Sequence, residues 1–226
     1  MPRLLAVEGL VLDRLPAGER HLRLALLTAG PGLLTVMLRQ SAGASPKPAS
    51  RARAIARPDV FDHADVVLEA PADGAAPGAT YFVREYKIIR RHAGLAKRYE
   101  ALATAAALAR LVARHAGHFE TCAPVFDLCR KAWAALEEGA PPEAVHFKAL
   151  YLLARDEGYP AREQWLPSLK LEDRELALAV LRQPSAKAAG VGDAESRARL
   201  RRAFERWLAG HTDFEMEAPS EKNRPA

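Results

Sequence analysis

His115, His118, Glu120 and Cys122 form the densest group of metal-ligating side chains in the sequence. A zinc site needs three or four such ligands in a set geometry. Residues 115–122 read as a connection between two helices, where side chains need not converge, and no other residue completes a set by spacing. No metal site is expected. Catalytic signatures are also missing: there is no GxxxxGK[ST], no GxGxxG after a strand and no GxSxG. The acidic pairs Glu137-Glu138 and Glu172-Asp173 fall at helix ends, where carboxylates near a helix start serve the helix dipole. No catalytic residue and no cofactor are expected, and an enzyme acting on nucleic acid would need converging carboxylates or a metal.

The chemistry the chain does offer is positive charge. Residues 41–58, SAGASPKPASRARAIARP, carry Lys47, Arg51, Arg53 and Arg57 with no acid among them. Three prolines and a glycine keep this stretch out of helix and central strand. Cations on such a loop can neutralise the phosphates of a polyanion, although a basic loop is also often just a solvated one. A formal net charge of +5 and a pI near 9.4 permit a polyanionic partner without requiring one.

The elements that must position these charges change period along the chain. In the first ninety residues the period is two. Leu22, Leu24 and Leu26 alternate with Arg23, Ala25 and Leu27, and Leu34, Val36 and Leu38 resume the pattern after the TAGPG turn at 28–32. Val7–Arg14 precedes this pair, and Val60–Glu69 and Tyr81–Arg91 follow the basic loop. Five strands rich in turns suggest a small closed or partly closed barrel.

From Gly94 the period becomes helical. One stripe runs Leu95, Tyr99, Leu102, Ala106, Ala109 and Val112, and a second runs Val125, Cys129, Trp133 and Leu136. A third helix starts near Pro142 and stops at Gly158. A fourth covers Leu171–Leu181, and a last follows Asp193 as N-cap with Leu200, Phe204 and Trp207 on its apolar side. The expected class is α+β, with a barrel over 1–91, a helical domain over 92–214 and a frayed polar tail over 215–226.

On this map Arg39 ends the third strand just before the loop. Arg84, Lys87, Arg90 and Arg91 line the fifth, with only Glu85 against them in sequence. Among aromatics that could stack bases, alternation places Phe82 and Tyr86 on one face and Tyr81 on the other. Arg197, Arg199, Arg201, Arg202 and Arg206 are expected on the solvated side of the last helix.

The 226 residues suffice for a core. Cys122 and Cys129, seven apart on an expected helix, stand roughly 10 Å apart along its axis, too far to bridge. No apolar run reaches membrane-spanning length and the N-terminus lacks a signal-peptide pattern, so a soluble cytoplasmic protein is expected.

With these residues in place, the chain resembles the RecO family of bacterial recombinational DNA-repair proteins over roughly residues 5–216. The likeness rests on VEGLVLDRLPAGERHLRLALLTAGPGLLTVMLRQSAG at 7–43, with Gly18-Glu19, Leu26-Leu27-Thr28 and Gly32 in the family's turn and hairpin positions. FKALYLLARDEGYP at 147–160 and ARLRRAFERWLAGHTDFEM at 198–216 complete it. The resemblance implies an OB-fold followed by a helical domain. It also implies a non-enzymatic mediator that binds and anneals single-stranded DNA and helps RecA replace SSB. Its implied partners are RecR and the SSB C-terminal tail.

By position the family's basic residues fall on Arg39 and Lys47, followed by Arg51 and Arg53, and the tail site is placed at Arg130, Lys131 and Arg155. Two departures stand out. PAREQWLPSLKLED at 160–173 has no cysteine where many members carry a four-cysteine zinc module, and Gln40, Ser41 and Ala42 replace bases at the loop's start. The thinned loop motivates an alternative, a protein-interaction adaptor that has lost useful DNA binding.

Overall fold

The computed structural model describes residues 3–39, 57–71 and 78–215. They form a closed five-stranded barrel followed by helices. The strands are β1 (Leu4–Ala17), β2 (His21–Thr28), β3 (Leu33–Arg39), β4 (His63–Glu69) and β5 (Thr80–Arg90), in the order β1-β2-β3-β5-β4. All neighbours are antiparallel except β3 and β5, which run parallel with Val36 opposite Tyr81. This is an OB-like arrangement, and the expected barrel-then-helix class is what the chain adopts.

Closure depends on β1. Its first half pairs with β4 (Leu4 opposite Glu69) and its second half with β2 (Ala17 opposite His21). A bulge at Leu12 bends the strand between the two partners, and Gly9 to Leu12 are all buried there. At Gly9 a Cβ would lie 2.6 Å from the Leu26 side chain, so any larger residue would force Leu26 to shift. Leu22, Leu24, Leu26, Leu34, Val36 and Leu38 fill the interior with Val66, Leu68 and Tyr81, as their alternation requires. Between β2 and β3 the hairpin is tied by Thr28, whose N–H and Oγ1 both donate to the Gly32 carbonyl.

β4 begins three residues later than periodicity suggests. Phe61 has φ 71°, outside the strand region, and the turn it makes buries the Asp62 carboxylate. The Ala116–Arg130 segment groups with the barrel: Phe126 packs edge-on against His63, and Cys122 lies beside Gly32.

Of the described residues, 93–115 and 131–215 form the second compact unit. Its helices are α1 (Tyr99–His115), the remainder of α2 (Ala123–Glu137), α3 (Pro142–Asp156), the single turn α4 (Leu166–Ser168), α5 (Leu171–Arg182) and α6 (Ala194–His211). α3 is its central helix, buried on most sides. Phe147 and Tyr151 of α3 meet Trp165 and Phe204, with Trp165 and Phe204 ring centres 4.6 Å apart. The Asp193 cap holds, accepting the Ser196 N–H at 2.8 Å.

Two expectations for these helices fail. Tyr99 is 79% exposed rather than on the core stripe of α1. Leu95 sits in a separate 3-10 turn, Ala93–Lys97, so helical phase does not carry from one residue to the other. Arg197 is buried, because its spacing from Leu200 and Phe204 puts it on their side of α6. It donates to the Val191 and Gly192 carbonyls and closes the preceding turn. No helix of the described residues is long and apolar enough to cross a membrane.

Candidate nucleic-acid interface

The basic residues of β5 are not a free cationic stripe. β5 pairs with β4, which brings acids that are distant in sequence alongside them. Arg84 forms an ion pair with Glu69, and Lys87 stands 4.0 Å from Asp65. Arg90 lies opposite His63. The expectation that only Glu85 opposes this row is thus corrected by strand pairing.

Arg91 is the extreme case. Its guanidinium grips Asp62 with two bonds of 2.9 Å, Nε to Oδ1 and Nη2 to Oδ2. Asp62 is fully buried and also accepts from the Tyr86 hydroxyl and the Asp59 N–H. Burial, reinforced by Asp62, pushes the Tyr86 hydroxyl well above its ordinary range, so it stays a donor. The hydrogen bond to Asp62 likewise raises Arg91, whose charge is permanent. Arg91 Nη2 also donates to the Arg57 carbonyl at 2.8 Å, and Arg14 Nη1 donates to the Pro58 carbonyl at 2.9 Å. Arg57 itself is exposed. These bonds fasten the chain where it re-enters the barrel ahead of β4. Lys47, Arg51 and Arg53 lie outside the described residues.

The other side of the barrel differs. Arg23 in β2 and Arg39 at the end of β3 are both exposed, with no ion-pair or hydrogen-bond partner for their side chains among the described residues. Arg23 was not singled out by its pattern, since an arginine alternating with leucines reads as any outward strand residue. The signal is pairing: β1 and β3 flank β2 and place Leu15 and Met37 beside Arg23, so no acid stands next to it in the register.

Along that register Leu15, Arg23, Met37 and Phe82 form one row across β1, β2, β3 and β5. Phe82 points outward, whereas Tyr86 joins Tyr81 in the core, against the expectation from alternation. The cause is a bulge at Arg84: Leu68 faces Val83 while Val67 faces Glu85, so one extra residue resets the parity of β5.

Of the proposed tail-binding residues, Arg130 lies in the barrel unit and bonds Asp127 at 2.5 Å. Lys131 and Arg155 lie in the helical unit, with Arg155 bonded to Asp156. Cys129 is fully buried, and burial pushes its thiol up to about 12, which leaves it unreactive. Among the described residues no three His, Cys, Asp or Glu side chains gather into a possible metal site. Comparison of the chain with protein-family models finds no match, and comparison with curated protein sequences finds none either.

Proposed function

We propose that this protein binds single-stranded DNA through its barrel and acts as a non-enzymatic DNA-repair mediator of the RecO kind. The observation that carries the proposal is the pair of exposed arginines, Arg23 and Arg39, without a partner among the described residues, on the outer β2–β3 face of an OB-like barrel. In this architecture that face and its adjoining loops commonly hold oligonucleotides. An arginine with a carboxylate partner must give it up to hold a phosphate, whereas Arg23 and Arg39 need only shed counterions and water. Arg39 precedes, and Arg57 follows, the segment bearing Lys47, Arg51 and Arg53 in the sequence.

Strands held by phosphate contacts keep their bases available for pairing, which is how annealing would follow. The helical unit would dock proteins, with RecR and the SSB tail as the partners the resemblance implies and RecA served indirectly. A second reading, a protein-docking adaptor, draws support from the ion pairs that neutralise Arg84 and Lys87 on β5 and Arg91 just beyond it.

Fluorescence anisotropy of a labelled unstructured single strand, titrated at several salt concentrations, tests the proposal. Binding should weaken steeply with salt. Arg23→Gln with Arg39→Gln should make the log–log slope shallower by about 1.4, at about 0.7 per phosphate contact on a single strand. Absence of binding at low salt would sink DNA contact and leave the adaptor reading in its place.

A further inference from the structure

Exposed apolar side chains on the barrel are not scattered. Among the described residues its large ones are Leu4, Leu15, Phe82 and Ile89. Three of these four lie on a single register row, which runs Leu15–Arg23–Met37–Phe82 and continues through Glu69 to Leu4 as the barrel closes. Phe82 is 50% exposed and Leu15 41%. An isolated exposed leucine needs no explanation, but here Met37 and Phe82 are direct neighbours across β3 and β5, and Leu15 follows one strand beyond Arg23, which gathers apolar surface along one row. The row is also set among cations: Arg23 lies within it, and Arg39 sits two residues beyond Met37 on β3. Its one acid, Glu69, is already paired with Arg84.

Resting on the single-strand reading above, we infer that Leu15, Met37 and Phe82 form a base-stacking strip running across the strands, with Arg23 and Arg39 holding the phosphates beside it. A flat aromatic face at Phe82 and a soft thioether at Met37 suit any nucleobase. Three strand spacings separate Leu15 from Phe82, about 14 Å, a length that accommodates roughly two or three unstacked nucleotides. Exposed arginines with no partner among the described residues, next to the apolar row, favour an occupant carrying negative charge at short intervals along an otherwise stackable chain. A second copy of this protein would instead bring the same arginines together and repel.

The strip is tested with two labelled oligonucleotides of equal length and phosphate number, oligothymidylate and its abasic counterpart. The full chain should bind oligothymidylate at least about fivefold more tightly. Phe82→Ala should abolish that preference without changing the salt slope, Phe82→Tyr should keep it, and Arg23→Gln should change the slope while keeping the preference. Because Phe82 is half exposed, its variants should match the parent's melting temperature. Equal binding of both oligonucleotides by the parent, or an intact preference in Phe82→Ala, overturns the strip and leaves the phosphate reading standing. No binding of either at low salt overturns both. Self-association lost in Phe82→Ala with base preference unchanged would assign the row to a second copy and also overturn the strip.

Discussion

The two sides of this barrel use arginine in opposite ways. Along β4 and β5 and at their shared end, bases engage three acids: Arg84 holds Glu69, Lys87 stands by Asp65 and Arg91 holds Asp62. Along β2 and β3, Arg23 and Arg39 face solvent without a partner among the described residues. The difference teaches that the number of cations on a strand says little about its capacity to hold an anion. What matters is whether the adjoining strand has already supplied one. Charge on β5 serves the fold, and charge on β2–β3 is available for something else.

The largest test of this contrast is Arg91. Asp62 is fully buried while Arg91 is partly exposed, so removing the arginine strands a buried carboxylate. Arg91→Ala should cost about 3 kcal/mol in urea unfolding, with Arg57 loosened from the barrel. The equivalent Arg23→Ala should stay within about 0.5 kcal/mol, as for any unpaired surface side chain. Comparable losses at the two positions would erase the distinction.

A smaller effect should appear as a gain. Asp65→Asn with Glu69→Gln would release Lys87 and Arg84, and the pairs are exposed enough that stability should change by no more than about 1 kcal/mol. If the β4–β5 side is silent only because it is neutralised, the salt dependence of DNA binding should steepen by up to about 1.4 in log–log slope. An unchanged slope would mean that DNA does not reach that side, and would sharpen the assignment to β2–β3. Smallest of all, Arg84→Gln in the parent should barely alter the slope, since its charge is already spent on Glu69.

Much of the fold was legible because periodicity is a local property. Leu22, Leu24, Leu26 and Leu34, Val36, Leu38 declare an inward face, TAGPG declares the hairpin between them, and Asp193 declares the start of α6. Each depends on residues within a few positions, and each is found where expected. Failures arise where local phase is interrupted. The bulge at Arg84 sends Tyr86 into the core and the 3-10 turn before α1 leaves Tyr99 in solvent; Arg197 differs, since unbroken helical spacing aligns it with Leu200 and Phe204 and only its charge suggested solvent.

The candidate site was legible only in part, for a related reason. The sequence by itself determined which residues are charged, which strands alternate and where the turns must fall, since these follow from residue type and near neighbours. Only the tertiary structure decided which charges remain free. Arg84 meets Glu69, and Arg91 meets Asp62, through strand pairing that joins residues well apart in the chain. Arg23 keeps its charge unspent because its neighbours across the sheet are Leu15 and Met37. Coulombic pairing acts through space, and in a closed barrel the nearest charge in space is seldom the nearest in sequence.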